Sequence, residues 1–103
     1  MVTGFVSIGE ASEFDDGEIK AFEVEGITIA VALVEGKFYA IDDTCTHMGC
    51  SLAKGELVEN IIVCACHASE FDITTGVVIE GPAEDPVESY PVRVMGDDLQ
   101  VEL

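Results

Sequence analysis

Residues 19–41 read IKAFEVEGITIAVALVEGKFYAI, and the fold is decided in this stretch. IKAFEV alternates apolar and polar residues with period two, the mark of a half-buried strand. Glu25-Gly26 and Glu35-Gly36 are tight-turn pairs. Between them, residues 27–34 (ITIAVALV) are apolar on both faces except at Thr28, which predicts a central strand covered on two sides. Residues 37–41 return as the third strand. Working outward, 5–8 predict a first strand, 11–14 a short helical turn ended by Asp15-Asp16-Gly17, and 61–63 a strand. Residues 71–73 and 77–79 flank the turn Thr74-Thr75-Gly76. Residues 81–86 hold two prolines, which deny a ladder its donors and predict a loop. Residues 90–95 and 99–103 predict a closing hairpin around 96–98. Evenly spaced strands with glycine turns and no long helix give an all-β fold, a small antiparallel sandwich or barrel. No repeat, low-complexity tract or linker divides the chain, so residues 1–103 read as one domain.

Composition narrows the function. Twenty-one acidic residues face four basic ones, a net charge of −17 on 103 residues. Such a surface repels nucleic acid and anionic membranes. No apolar run approaches the ~20 residues of a membrane-spanning helix. The first residues, MVTGFVSIGEASEF, lack the basic start and long apolar core of a secretory signal, so the expected location is the cytoplasm. The acids occur in short clusters such as Asp42-Asp43 and Asp97-Asp98, not in a block that would mark a disordered tail. Solubility, or a saline or acidic habitat, accounts for them on one reading; on another they steer the protein toward basic patches on a partner.

The cysteines are concentrated. All four, with both histidines, fall between Cys45 and His67. The window runs Cys45-Thr46-His47-Met48-Gly49-Cys50, then 13 residues, then Cys64-Ala65-Cys66-His67-Ala68-Ser69. Cys45-x-His47 and Cys64-x-x-His67 each offer one thiolate and one imidazole. A structural zinc site could use the same four ligands, although its usual first half is a Cys pair two to four residues apart. A disulfide framework leaves the histidines unexplained. In a third arrangement two irons share the set, with Cys45 and Cys64 on one and His47 and His67 on the other.

The two boxes, C-T-H-x-G-C and C-x-C-H with 16 residues between His47 and Cys64, resemble those of the Rieske [2Fe–2S] family. The resemblance covers nearly the whole chain and is strongest to the small soluble ferredoxins that serve bacterial oxygenases. It implies the Rieske fold, with a base near 1–42 and 80–103 and an inserted cluster-binding subdomain near 43–79. It also implies one [2Fe–2S] cluster per chain on Cys45, His47, Cys64 and His67, with the histidine edges facing solvent as the electron path. The implied activity is one-electron carriage from a flavin-dependent NAD(P)H reductase to an oxygenase or similar acceptor. The protein would be a monomer that docks on basic patches and performs no catalysis itself. A small subunit of a stable oxidoreductase complex and a zinc-stabilised interaction module are the alternatives. A Rieske oxygenase catalytic subunit needs a further mononuclear iron held by two His and a carboxylate, and both histidines are already committed.

Ordinary oxygenase ferredoxins lack the extra cysteines. Cys50 and Cys66 stand where high-potential Rieske proteins carry a disulfide, which predicts a Cys50–Cys66 bond shielded by burial; the alternative is two buried thiols packing as small hydrophobes beside the cluster. High-potential members also place a Ser and a Tyr as hydrogen-bond donors to the cluster sulfurs. Here the positions hold Ser69 and Phe71, and Ala68 replaces the usual Gly. The expected potential is intermediate within the family range of roughly −150 to +300 mV. Met48 and Leu52 shield the cluster or pack between the loops, and Pro82 belongs to a loop covering its third side. Asp42, Asp43, Glu56 and Glu70 could form a docking ring or a solvated surface.

Overall fold

The computed structural model describes residues 4–45, 49–66, 68–81 and 83–102. Eleven strands are found among them: β1 (Phe5–Glu10), β2 (Ile19–Val24), β3 (Ile27–Val34), β4 (Lys37–Asp42), β5 (Glu56–Val58), β6 (Ile61–Val63), β7 (Glu70–Asp72), β8 (Val78–Glu80), β9 (Ser89–Tyr90), β10 (Val92–Met95) and β11 (Asp98–Glu102). Two 3-10 turns, Ala11–Glu13 and Leu52–Lys54, interrupt them. No described helix is long and apolar enough to cross a membrane.

The strands form three sheets of order β1-β11-β10, β2-β3-β4-β9 and β5-β6-β7-β8, and every pairing between these strands is antiparallel. The predicted central strand is central: β3 pairs with β2 along Ile19↔Ala32 to Val24↔Ile27 and with β4 along Ile29↔Asp42 to Val34↔Lys37. Its double-sided burial follows from the two-residue period of a strand. Ile29 and Val31 enter a core with Phe14, Leu99 and Val101. Ala30 and Ala32 enter a second core with Leu52, Ile62, Phe71 and the thiols Cys45 and Cys64. β3 is therefore the wall between two cores, one of which holds Cys45 and Cys64.

Three local expectations shift. The predicted strand 90–95 is split into β9 and β10, because Pro91 has no amide hydrogen for the ladder. β5 was not expected from sequence; Glu56, Leu57 and Val58 make only a three-residue strand, too short to show a period. β1 runs on to Glu10, past the expected 5–8, with a register shift between Ser7 and Gly9.

Candidate metal centre

The four-stranded sheet β5–β8 sits under two loops that carry the cysteines. β4 leads through Asp43 into the first loop, and β6 leads directly into the second at Cys64. The two loops close by the same hydrogen bonds. In the first, the Cys45 amide donates to the Cys50 carbonyl at 2.8 Å and the Gly49 amide donates back to the Cys45 carbonyl at 2.8 Å. In the second, the Cys64 amide donates to the Ser69 carbonyl at 2.8 Å and the Ala68 amide to the Cys64 carbonyl at 3.0 Å. Each loop thus folds back on its own cysteine, and the fifth residue of each is left-handed: Gly49 at φ +75° and Ala68 at φ +62°.

Glycine accepts that conformation without steric cost, whereas alanine does not. The replacement noted at Ala68 is therefore a strained position. Ala68→Gly is expected to stabilise the protein by about 0.5 kcal/mol, the relieved strain being offset in part by the greater freedom of glycine in the unfolded chain. A shift of the urea midpoint to higher concentration checks it; a shift to lower concentration would show that Ala68 sits there without strain.

Cys45 and Cys64 are each 2% exposed, and both are free thiols. Cys50 and Cys66 are joined in a disulfide, with Cα atoms 6.5 Å apart, that ties one loop to the other. The shielding expected for this bond is not found: Cys50 is only partly buried and Cys66 is exposed, because Cys66 occupies the outward turn between the buried Cys64 and Ser69. The Cys64 sulfur lies within 4.8 Å of both disulfide sulfurs. His47, Met48, His67 and Pro82 lie outside the described residues, as do Thr46 and the chain ends at 1–3 and 103.

The surrounding residues brace the loops. Ser69 is fully buried, and its Oγ accepts the Ala83 amide at 3.0 Å, which fastens Ala83 beside the second cysteine loop. Phe71 and Leu52 are fully buried in the core that contains both free thiols. Leu52 donates its amide to the Asp43 carbonyl at 2.7 Å. Asp43 does not belong to a surface ring: it is 5% exposed, and its carboxylate accepts the Ala53 amide at 2.8 Å. That bond pins the 3-10 turn to the strand entering the first loop. Glu56 is exposed, and Asp42 and Glu70 are partly so.

Asp42 lies at the end of β4, where its amide donates to the Glu88 carbonyl at 2.8 Å. Burial raises its carboxyl above the ordinary range, and the charges of Glu88 and Asp43 raise it further. The ionised form is therefore disfavoured in the folded state, and stability falls as pH rises from the unfolded value through the raised one. Asp42→Asn is expected to raise stability at neutral pH by less than about 1 kcal/mol, since the site is partly solvated. The gain should vanish in acid, below the ordinary carboxylate range; a gain of equal size at both ends of a pH series of urea melts would show that charge is not its cause. Asp98 behaves oppositely: hydrogen bonds from Ser7 and Gln100 lower its carboxyl, so its contribution is present at neutral pH and lost in acid.

The thiols fit an iron–sulfur group on two counts. Two soft sulfur donors are held unpaired in one apolar core, and the loops that present them are built alike. Thiolates select such clusters over harder ions. Comparison with known proteins points the same way. Residues 4–91 match the Rieske [2Fe-2S] domain. The chain is 33% identical over 91 residues to the ferredoxin component of the naphthalene 1,2-dioxygenase system of Pseudomonas aeruginosa, covering 88% of each chain. It is 37% identical over 93 residues to the 3-phenylpropionate/cinnamic acid dioxygenase ferredoxin subunit of Escherichia coli strain K12, covering 89% of this chain and 87% of that one. Among solved structures, a chain in the complex of reduced oxygenase and oxidized ferredoxin of carbazole 1,9a-dioxygenase superposes with a TM-score of 0.90. The two are 32% identical, with 94% of this chain and 91% of that one covered.

Proposed function

The chain belongs to the Rieske [2Fe–2S] domain family, and from that membership we propose that it is a one-electron carrier with one cluster per chain, reduced by a flavin-dependent NAD(P)H reductase and oxidised by an oxygenase or similar terminal enzyme. The observation that carries the reading is the pair of matching loops, each presenting a buried free thiol and joined to the other by a disulfide. The names of the two relatives above, a ferredoxin component and a ferredoxin subunit of dioxygenases, support it.

Cys45 and Cys64 hold one iron, and His47 and His67 hold the other. When bound, the cluster supplies a centre that takes up and gives up a single electron. The chain's own residues set the conditions. The amide-to-carbonyl bonds within each loop orient Cys45 and Cys64, and the disulfide keeps the loops from separating. Ser69, having accepted the Ala83 amide, retains its hydroxyl hydrogen to donate to a sulfur. Phe71, buried beside the thiols, excludes water but donates nothing. Residues 43–79 serve as the cluster-binding part and the remainder as its base, within one domain that acts in the cytoplasm.

Iron and sulfide analysis with the EPR spectrum of the dithionite-reduced protein tests the function. About two irons and two sulfides per chain, with the low average g of a histidine-ligated cluster, are expected. A colourless protein containing zinc would overturn it.

The charge of −17 has a role in this reading, since it steers the carrier to basic patches on its partners. Transfer rates to the terminal enzyme should fall as salt shortens the screening length from about 30 Å at 0.01 M to about 8 Å at 0.15 M. Rates indifferent to salt, measured by stopped flow, would return the acids to a role in solubility or habitat.

A further inference from the structure

Three sulfurs, those of Cys50, Cys64 and Cys66, lie within 4.8 Å of one another. Two form the disulfide and the third is a buried free thiol. A thiol beside a disulfide is the arrangement in which exchange occurs, by attack of one sulfur on another. We propose that Cys64 is the resolving member of a disulfide-exchange triad that acts when the cluster is lost. Its sulfur bonds to Cys50, the Cys50–Cys66 bond breaks, and Cys66 leaves.

The step is balanced without an added reactant. One S–S bond forms and one breaks, and the proton lost by Cys64 is taken up by Cys66, so the oxidation state of the chain is unchanged. This inference rests on Cys64 being a cluster ligand, because ligation is what withholds its sulfur from exchange.

Chain connectivity favours this product over the alternative. The original bond spans 16 residues, and a Cys50–Cys64 bond would span 64 − 50 = 14. The entropy of closing the loop is therefore nearly the same, and the two cysteine loops stay tied together. The alternative, Cys64 to Cys66, would close a small ring within one loop and untie it from the other. The leaving sulfur also has somewhere to go, since Cys66 is exposed while Cys64 is buried. The consequence is a lock: a chain that has lost its iron hides one ligand in a disulfide. It reopens by the reverse exchange, in which the Cys66 thiolate attacks the Cys50 sulfur and Cys64 leaves, before the site can be filled again.

The test uses the full-length protein. Iron is stripped anaerobically with a chelator, and released sulfide is removed at once by desalting. After incubation, free thiols are blocked with N-ethylmaleimide and the alkylated positions are mapped by mass spectrometry. Label on Cys45 and Cys66, with a Cys50–Cys64 crosslinked peptide, is the expected result. Label on Cys45 and Cys64, with Cys50–Cys66 intact, would overturn the proposal. Cys64→Ser serves as the control for scrambling by other routes and should keep Cys50–Cys66. The wild-type map stands without it if that variant does not fold. Absence of iron and sulfide from the protein as purified would sink the cluster reading instead, and that result is read before the chelator is added.

Discussion

Cys64→Ser is expected to give a chain with less than about a tenth of the wild-type iron, on the scale by which even the partners of ligands alter metal affinity. Cys64 is 2% exposed, and its amide and carbonyl are both held within its own loop. The backbone will therefore present a serine hydroxyl where a thiolate stood. Oxygen is a poorer match for an iron–sulfur centre than sulfur is, and the geometry offers no substitute: Cys50 and Cys66 are already bonded to each other. Because cluster binding contributes to folding free energy, the thermal midpoint should fall with the iron content. Cys50→Ser should behave differently. It removes a crosslink spanning 16 residues, for which chain entropy gives about 3 kcal/mol, yet leaves both proposed thiolate ligands in place. That variant should load its cluster and lose it faster. Visible absorbance and iron analysis after purification separate the two outcomes, and a Cys64→Ser protein with full iron would remove Cys64 from the ligand set.

Gly55→Ala is expected to destabilise the fold by about 3 kcal/mol, at the upper end of the cost of forcing a methyl group into packed surroundings. Gly55 ends the 3-10 turn Leu52–Lys54, its amide donating to the Leu52 carbonyl at 3.0 Å. A Cβ built there would lie inside contact distance of the Val63 carbonyl oxygen, 3.0 Å from its carbon and 3.2 Å from the Leu52 oxygen. All three are backbone atoms, so no rotamer change relieves the overlap. Val63 cannot yield easily, because it pairs with Glu56 on one side and Glu70 on the other. The next residue is Cys64, and any displacement of Val63 is passed to it. The variant should therefore lose iron as well as stability, with a lowered urea midpoint and a bleached visible spectrum. Unchanged values for both would show that the turn can move away from β6. Gly76 is in a similar position against the Val87 carbonyl, with the added demand of φ +83°, and holds the start of the last part of the chain against the turn between β7 and β8.

The legibility of the molecule differs by kind of feature. The hairpins of residues 19–41 were readable because period-two alternation and Glu-Gly turns are local signals, and each turn closes with both its residues at positive φ. The cysteine boxes were readable because ligand chemistry depends on residue type and spacing. Burial of a polar residue was not. Asp43 and Asp42 are adjacent acids, yet one is enclosed by the turn at 52–54 and the other is partly solvated. The same holds for the disulfide, whose pairing followed from resemblance but whose exposed position at Cys66 depends on how the second loop turns. Gly55 carried no sequence signal, because its constraint comes from a strand eight residues away.

Strand period, turn chemistry, net charge and the supply of thiolate and imidazole are properties of residues and their near neighbours, so the bare chain of 103 residues already contained them. The approach of Gly55 to Val63, the anchoring of Ala83 on Ser69 and the gathering of three sulfurs within 4.8 Å are set by contacts between separate segments of the chain. Such contacts arise only when the sheets close around their two cores, because packing, unlike period or residue type, is a property of the whole folded chain.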